Sequence, residues 1–412
     1  MRILVISNLS RAPVLSSAEH LCEQICSELL GMGHDVQLVT GERTAEELNS
    51  FPVHRSLSLF LPREEQPGQS RLRRWVVQRT NYCTTQGIIS RYQPELILLW
   101  SQLQLTIGCA LAAEESGIPV AYAVNDELTA ECVDDEEGWK ASLRRWGDDQ
   151  LLQLGPRKLR LTHVTCGSYA LKKRLCERGM PLQGAAVIYP GFSVEKFASK
   201  AQPGSIGVPA SLLYVGPLQE EGGIYALLEA TELLSARGRG VRVTLCGEGN
   251  GESSVRLRRM AACGQASIHF VGRLEQDKLP ALYRAHDIFV YPITSGGTLG
   301  LPHLRAMASG TTVVSTAEGD QGEFLRDGIN SLIVRPGSVA DLAQKLDCLL
   351  ERPELMTKLA QAAQLQVIHE FTLKSYARQL VRWLEEIRRH HLPENRKLRP
   401  PLPTAQRVTT LI

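Results

Sequence analysis

Short apolar runs of strand length, alternating with amphipathic helical stretches, constrain this chain more than any other feature. Arg2-Ile3-Leu4-Val5-Ile6-Ser7 is the first run, and it ends in polar residues as a buried strand does. In the stretch Ala18 to Leu30, Leu21, Ile25 and Leu29 share one helical face, and Gly31-Met32-Gly33 stops it where a left-handed C-cap is needed. Val36 to Thr40 is the next strand. Such a β-α-β unit brings its strands parallel. The pattern continues with strands at Leu96–Trp100, Val120–Val124, His163–Cys166 and Ala185–Ile188, and a helix at Thr106–Glu115.

A second series starts at Leu212–Val215. Helix Ile224–Ala236 follows, then strands Val241–Cys246, Ile268–Val271, Ile288–Tyr291 and Thr312–Ser315. Leu304–Ala308 reads as helical between the last two strands, and Val339–Leu350 and Leu373–Ile387 close the series. Between the two series, Phe197 to Pro209 carries Pro203, Gly204, Gly207 and Pro209 and reads as a linker. The expected architecture is α/β, with two tandem Rossmann-like doubly wound domains, residues 1–198 and 210–370, facing across a cleft. Helix 373–387 carries Leu373, Tyr376, Ala377, Leu380, Trp383, Leu384 and Ile387 on one stripe, which predicts packing back onto the first domain. The Pro- and Arg-rich tail 390–412 is predicted to be disordered. In doubly wound sheets ligands sit beyond the carboxyl ends of the strands, so the cleft is the expected site.

Composition removes other classes. With 43% hydrophobic and 22% charged residues in 412, the chain is neither fibrous nor mostly disordered. A formal charge of +2 gives no general attraction to nucleic acid. The first apolar run is too short for a signal peptide, and no run approaches the ~18 residues of a membrane span. The ten cysteines include no C-x-x-C pair. A cytoplasmic protein with reduced thiols is the expectation.

Several stretches resemble the family-four, retaining glycosyltransferases of the GT-B fold. In the second half they are Leu212-Leu213-Tyr214-Val215-Gly216, Leu245-Cys246-Gly247-Glu248-Gly249, and Ile268 to Leu274 followed by Leu282 to Pro292. Gly300-Leu301 with Ala306-Met307-Ala308-Ser309-Gly310, and Asp327 to Val334, follow at family spacing. In the first half Ala18-Glu19, Gly33-His34-Asp35-Val36, Gly117-Ile118-Pro119-Val120 and Val187-Ile188-Tyr189-Pro190-Gly191 fall in the same order. The resemblance implies transfer of a sugar from a nucleotide-diphosphate donor, with retention, to a glycan, lipid or small-molecule acceptor. It implies no bound metal and no other cofactor. Cationic side chains and helix N-termini then stabilise the leaving diphosphate.

The sequence departs from the family at the donor site. Pro217 stands at the position of the family's Arg, and Gly222 at that of its Lys. Gly297 replaces the sugar-facing Glu, and Arg305 replaces the ribose-facing Glu. By resemblance the donor side comprises Gly216, Pro217, Gly222, Glu248, Arg273, Leu274, Gly297, Thr298, Leu299, Gly300, Leu301 and Arg305. Ser16-Ser17 replaces a Gly-Gly pair on the phosphate-side loop, and Asn125 with Asp126 is the candidate catalytic pair, facing the second domain from the end of a strand. Arg305 has two readings, a guanidinium that grips phosphate or an exposed Arg on a helix that has lost its ligand. Two functions follow: an active transferase, or a non-catalytic relative acting as a binding or scaffold subunit.

Three further features have bland alternatives. Asp134-Asp135-Glu136-Glu137 is either a metal cluster or a solvated loop. Cys22 and Cys26 lack further ligands nearby and read as buried thiols. Arg71, Arg73, Arg74, Trp75 and Arg79 form either a peripheral contact with an anionic membrane or a solvated helix face.

Overall fold

The structure, a computed structural model, describes residues 1–7, 17–41, 51–58, 71–100, 105, 107–125, 159–197, 207, 209–249, 251–294 and 300–391. The first sheet contains β1 (Arg2–Ser7), β2 (Asp35–Gly41), β3 (Val53–Leu57), β4 (Leu96–Trp100), β5 (Val120–Val124), β6 (Val164–Cys166) and β7 (Ala186–Val187). Its order is β3-β2-β1-β4-β5-β6-β7, and all pairs are parallel. The second contains β8 (Ala210–Val215), β9 (Val241–Cys246), β10 (Ser267–Gly272), β11 (Ile288–Tyr291), β12 (Thr312–Ser315) and β13 (Leu332–Ile333). Its order is β10-β9-β8-β11-β12-β13, again parallel. In each sheet the order reverses beside the first strand, which opens a crevice at the carboxyl edge. β4 and β5 are buried along their whole length because helices cover both faces.

The helices are α1 (Ser17–Gly31), α2 (Arg71–Tyr92), α3 (Gly108–Glu115), α4 (Tyr169–Glu177), α5 (Ile224–Ala236), α6 (Gly251–Cys263), α7 (Leu279–Arg284), α8 (Leu301–Ala308), α9 (Val339–Glu351), α10 (Pro353–Glu370) and α11 (Leu373–His391). Sequence periodicity did not reveal α2, α4, α6, α7, α10, β3 or β13. α2 is rich in Arg, Gln and Thr over its 22 residues and shows no continuous apolar stripe. α8 begins three residues before the expected start, because Gly300 takes a left-handed conformation (φ 65°) and launches the helix at Leu301.

α11 crosses back to the first domain. Leu373, Tyr376, Ala377, Leu380, Leu384 and Ile387 join the core formed by Ile3, Leu98 and Trp100. Arg388 Nη1 lies 2.8 Å from Glu95 Oε1. At the crossing, Leu373 N–H donates to Phe192 O (3.0 Å) and Phe192 N–H to Phe371 O (3.1 Å). A Cβ at Gly191 would stand 2.3 Å from Thr372 O, so this close backbone passage requires glycine.

The two domains also touch through a 3-10 turn, Gly319–Glu323, at the N-terminus of α4. The Glu323 carboxylate accepts from Tyr169 N–H (3.1 Å), Ala170 N–H (2.6 Å) and the Tyr189 hydroxyl. Asp320 Oδ1 accepts from Ser168 Oγ (2.9 Å) and Arg174 Nη2 (3.2 Å). The helix dipole and the orphan N–H groups of α4 are thereby matched by carboxylates of the other domain.

Cys22 and Cys26 are buried free thiols. On α2, Trp75 is half-buried and Arg79 exposed, and the side chains of Arg71, Arg73 and Arg74 lie outside the described set. The acidic run 134–137 and the tail from 392 also lie outside the described residues. No helix among the described residues is long and apolar enough to cross a membrane.

Candidate functional site

The carboxyl edge of the second sheet gathers most of the donor-side positions. Tyr214 of β8 stacks on Tyr291 of β11 with centroids 5.2 Å apart, and its hydroxyl donates to Pro217 O (2.7 Å). That bond draws the loop after β8 over the ring pair. A Cβ at Gly222 would sit 2.2 Å from Tyr214 Oη, and one at Gly216 would sit 2.8 Å from Tyr291 Cε2. The space beside Gly222 is therefore held by a tyrosine hydroxyl. Pro217 is exposed at the turn.

α8 starts beside this ring pair. Its N-cap, Gly300, offers no side-chain cap, so the first-turn N–H groups of Leu301 and His303 have no intrahelical partner. His303 Nε2 lies 2.9 Å from Ser315 Oγ, and the imidazole meets Phe289 and Tyr291 edge-on. Burial pushes its pKa down to about 3, so the ring is neutral and acts as core.

Arg305 is the departure that the structure resolves. It is only 8% exposed, which excludes the reading of a solvated helix Arg. Its guanidinium lies over the Phe197 ring, 5.6 Å from the centroid, and its Nε has no hydrogen-bond partner among the described residues. Burial pulls its pKa below the ordinary guanidinium value, partly opposed by the nearby Tyr283 phenol. Glu248 and Arg273 are exposed, and Leu274 is half-buried against the second core. Ser16, Asp126, Gly297, Thr298 and Leu299 lie outside the described residues, as does the side chain of Ser17.

On the first-domain side, Asn125 follows β5 at the carboxyl edge but is only 3% exposed, beside the Tyr376 hydroxyl of α11. The expectation that it lies open to the cleft is corrected: a helix remote in sequence packs over it. Its Nδ2 is buried without a partner among the described residues, as are Ser7 Oγ at the end of β1 and Thr165 Oγ1 in β6. Ser7, Trp100, Ala123 and Thr165 are in register across four adjacent strands, which puts their side chains on one face. Motif reading missed Tyr214, Tyr283, Tyr291, Ser7 and Thr165, whose only signal was a polar residue within or at the end of an apolar strand or helix. Among the described residues no group of three His, Cys, Asp or Glu side chains is placed to hold a metal.

This geometry meets its counterparts in known proteins. Residues 195–366 match the family of glycosyl transferases group 1. HepE from Anabaena, solved in complex with UDP, superposes with a TM-score of 0.70 at 18% identity, over 94% of this chain and 100% of that one. Sucrose-phosphate synthase from Thermosynechococcus elongatus gives 0.69 at 16% identity, over 94% and 99%. In sequence, a glycogen synthase of Mycobacterium tuberculosis is 29% identical over 215 residues, 52% of this chain and 51% of that protein. A D-inositol 3-phosphate glycosyltransferase of Corynebacterium urealyticum is 27% identical over 212 residues, 48% and 50% of the two chains. The chain spans about half the length of the curated relatives it matches. The chain has the GT-B fold, and its second domain matches the glycosyl transferases group 1 family.

Proposed function

We propose that the chain transfers a sugar, with retention at the anomeric carbon, from a nucleotide-diphosphate donor on the second domain to an acceptor on the first. The observation that carries this reading is the positive edge of the second domain. α8 opens on uncapped N–H groups, and Arg305 lies one turn further in. These features favour a diphosphate without a metal ion. Gly216, Gly300 and Leu301 line that edge, and the proposal keeps Gly297, Thr298 and Leu299 beside it. A glycan, lipid or small-molecule hydroxyl is received on the first domain, with Asp126 as its candidate partner and Asn125 buried behind it. The complex of HepE with UDP supports a nucleotide as the donor's carrier. We place the protein in the cytoplasm, with α2 as the element for any peripheral membrane contact.

The test is calorimetric titration with UDP and UDP-glucose, followed by NMR of the product's anomeric configuration. A second reading, a non-catalytic binding or scaffold subunit, is favoured by the Tyr214 hydroxyl standing where the family's Lys would start. Absence of both donor binding and turnover with any nucleotide sugar would establish that second reading.

A further inference from the structure

Two buried donors of the second domain lack acceptors among the described residues. One is Arg305 Nε and the other is Tyr283 Oη. Tyr283 is fully buried, and Arg305 is more than nine-tenths buried. The phenol and the guanidinium interact electrostatically with each other, and the phenol also with Cys246 at the end of β9 and Tyr291 at the end of β11. Both also border the Phe197 ring, Tyr283 with centroids 5.9 Å apart and the guanidinium 5.6 Å from the centroid. Phe197 underlies the guanidinium and limits how its planar fork can turn.

A cation nine-tenths buried without a counter-charge is costly for a fold to carry. Among the described residues no carboxylate pairs with Arg305. The segments 198–206 and 295–299, which adjoin Phe197 and Gly300, contain no Asp or Glu. A guanidinium N–H only donates, and a phenol is free to donate, so the missing partner is an acceptor. A water molecule would meet the hydrogen bonds and leave the charge uncompensated. An anionic oxygen meets both.

We infer that Arg305 and Tyr283 form a site for an anionic phosphate oxygen, at the position where the family presents a carboxylate to neutral ribose hydroxyls. The inference deepens the transferase reading and rests on it for the source of the phosphate, the diphosphate of a nucleotide sugar. The donor is then held by its charge more than by its ribose.

The experiment titrates the full chain with UDP, UDP-glucose, inorganic phosphate and uridine. It compares wild type with Arg305→Met, Arg305→Lys and Tyr283→Phe. Arg305→Met should weaken UDP about tenfold or more, as loss of a charge-assisted hydrogen bond does. Uridine, which lacks phosphate, should be unaffected. Arg305→Lys should recover part of the affinity, and Tyr283→Phe should weaken UDP a few-fold while leaving the fold at least as stable. Phosphate should raise the melting temperature of wild type and not of Arg305→Met. UDP binding equal in wild type, Arg305→Met and Tyr283→Phe would overturn the site and leave the transferase reading standing. Phosphate binding through Arg305 without any binding of UDP or UDP-glucose would keep the site and remove that reading. Should Arg305→Met fail to fold, Arg305→Lys and Tyr283→Phe decide the matter: equal UDP affinity in both overturns the site.

Discussion

The centres of the carboxyl edges of the two sheets differ in their unmet chemistry. Over β1, β5 and β6 of the first edge the unpaired buried atoms, among the described residues, are neutral: Ser7 Oγ, Asn125 Nδ2 and Thr165 Oγ1, whereas the outer strand β3 carries the unpaired Nε and Nη2 of Arg55. At the second they are a guanidinium nitrogen, a phenol that feels it and the neutral His303 Nδ1. Neutral hydroxyl and amide groups suit hydroxyl-bearing ligands or water, while an unpaired cation requires an anion. On the proposed transferase reading, the centre of one edge serves an uncharged partner and that of the other a charged one. The second edge has also given up space. Where the family extends a Lys, Tyr214 Oη occupies the place of its Cβ.

That packing is the strongest way to break the comparison. Gly222→Ala should destabilise the protein by about 2–3 kcal/mol, because a methyl group cannot share a site 2.2 Å from Tyr214 Oη. In a Tyr214→Phe background the nearest remaining ring atom is Cζ, 3.4 Å away, and most of the cost should vanish. A double-mutant cycle in urea measures the coupling. Additive losses would mean that the tyrosine does not hold the space, and the second edge would then be open to the family's Lys.

Much of this frame was legible in the sequence. Strands buried on both faces read as continuous apolar runs, so β5, β9, β11 and β12 stand at the expected residues, as does α5. Helices without a clean stripe did not show, and α10, with its Gln-Ala-Ala-Gln-Leu-Gln run, is one. The positions of the candidate site followed from motif order alone. Their surroundings did not. Asn125 lies under Tyr376, far along the chain, and Arg305 turns towards Phe197 of the interdomain segment. Local pattern carries periodicity, whereas these contacts are set by how distant elements dock.

The contact that fixes the two edges relative to each other comes next in size. Glu323→Gln keeps the shape and removes the charge from the N-terminus of α4 and from Tyr189. A loss of about 1–2 kcal/mol is expected, less than for Gly222→Ala because Gln still offers an oxygen. Urea unfolding and small-angle scattering test it: a lower midpoint with an unchanged radius of gyration means a weakened but intact contact. No change in midpoint would show that the carboxylates do not hold the domains.

Asp320 gives the same contact a pH dependence. Burial, opposed by Arg174 and Ser168 and aided by the nearby Glu323, raises its carboxyl from 3.8 to about 6. Between those values the folded chain binds more protons than the unfolded one. The contribution is therefore greatest below the unfolded value, declines as pH rises through the folded value, and is flat above it. Asp320→Asn should remove this slope, read as the difference between urea midpoints at about pH 4.5 and pH 7. An unchanged slope in the variant would assign the pH dependence to other groups.

The smallest expected effect sharpens the comparison from the first edge. Ser7 and Thr165 bracket Trp100 and Ala123 in one register row, roughly 14 Å long at the usual strand spacing. Their hydroxyls are sealed and unpaired, so removing them deletes an uncompensated desolvation cost rather than a bond. Ser7→Ala with Thr165→Val should thus leave stability unchanged or raise it by up to about 1 kcal/mol, since Thr and Val share a shape. If the row addresses a hydroxyl-bearing acceptor, the same pair should raise the acceptor KM several-fold while the affinity for UDP stays at the wild-type value. That split separates the two edges, because Arg305→Met should do the reverse. A Ser7 and Thr165 double variant that loses both acceptor and UDP affinity would show one shared pocket instead of two chemically distinct edges, and the division between an uncharged and a charged partner would fall.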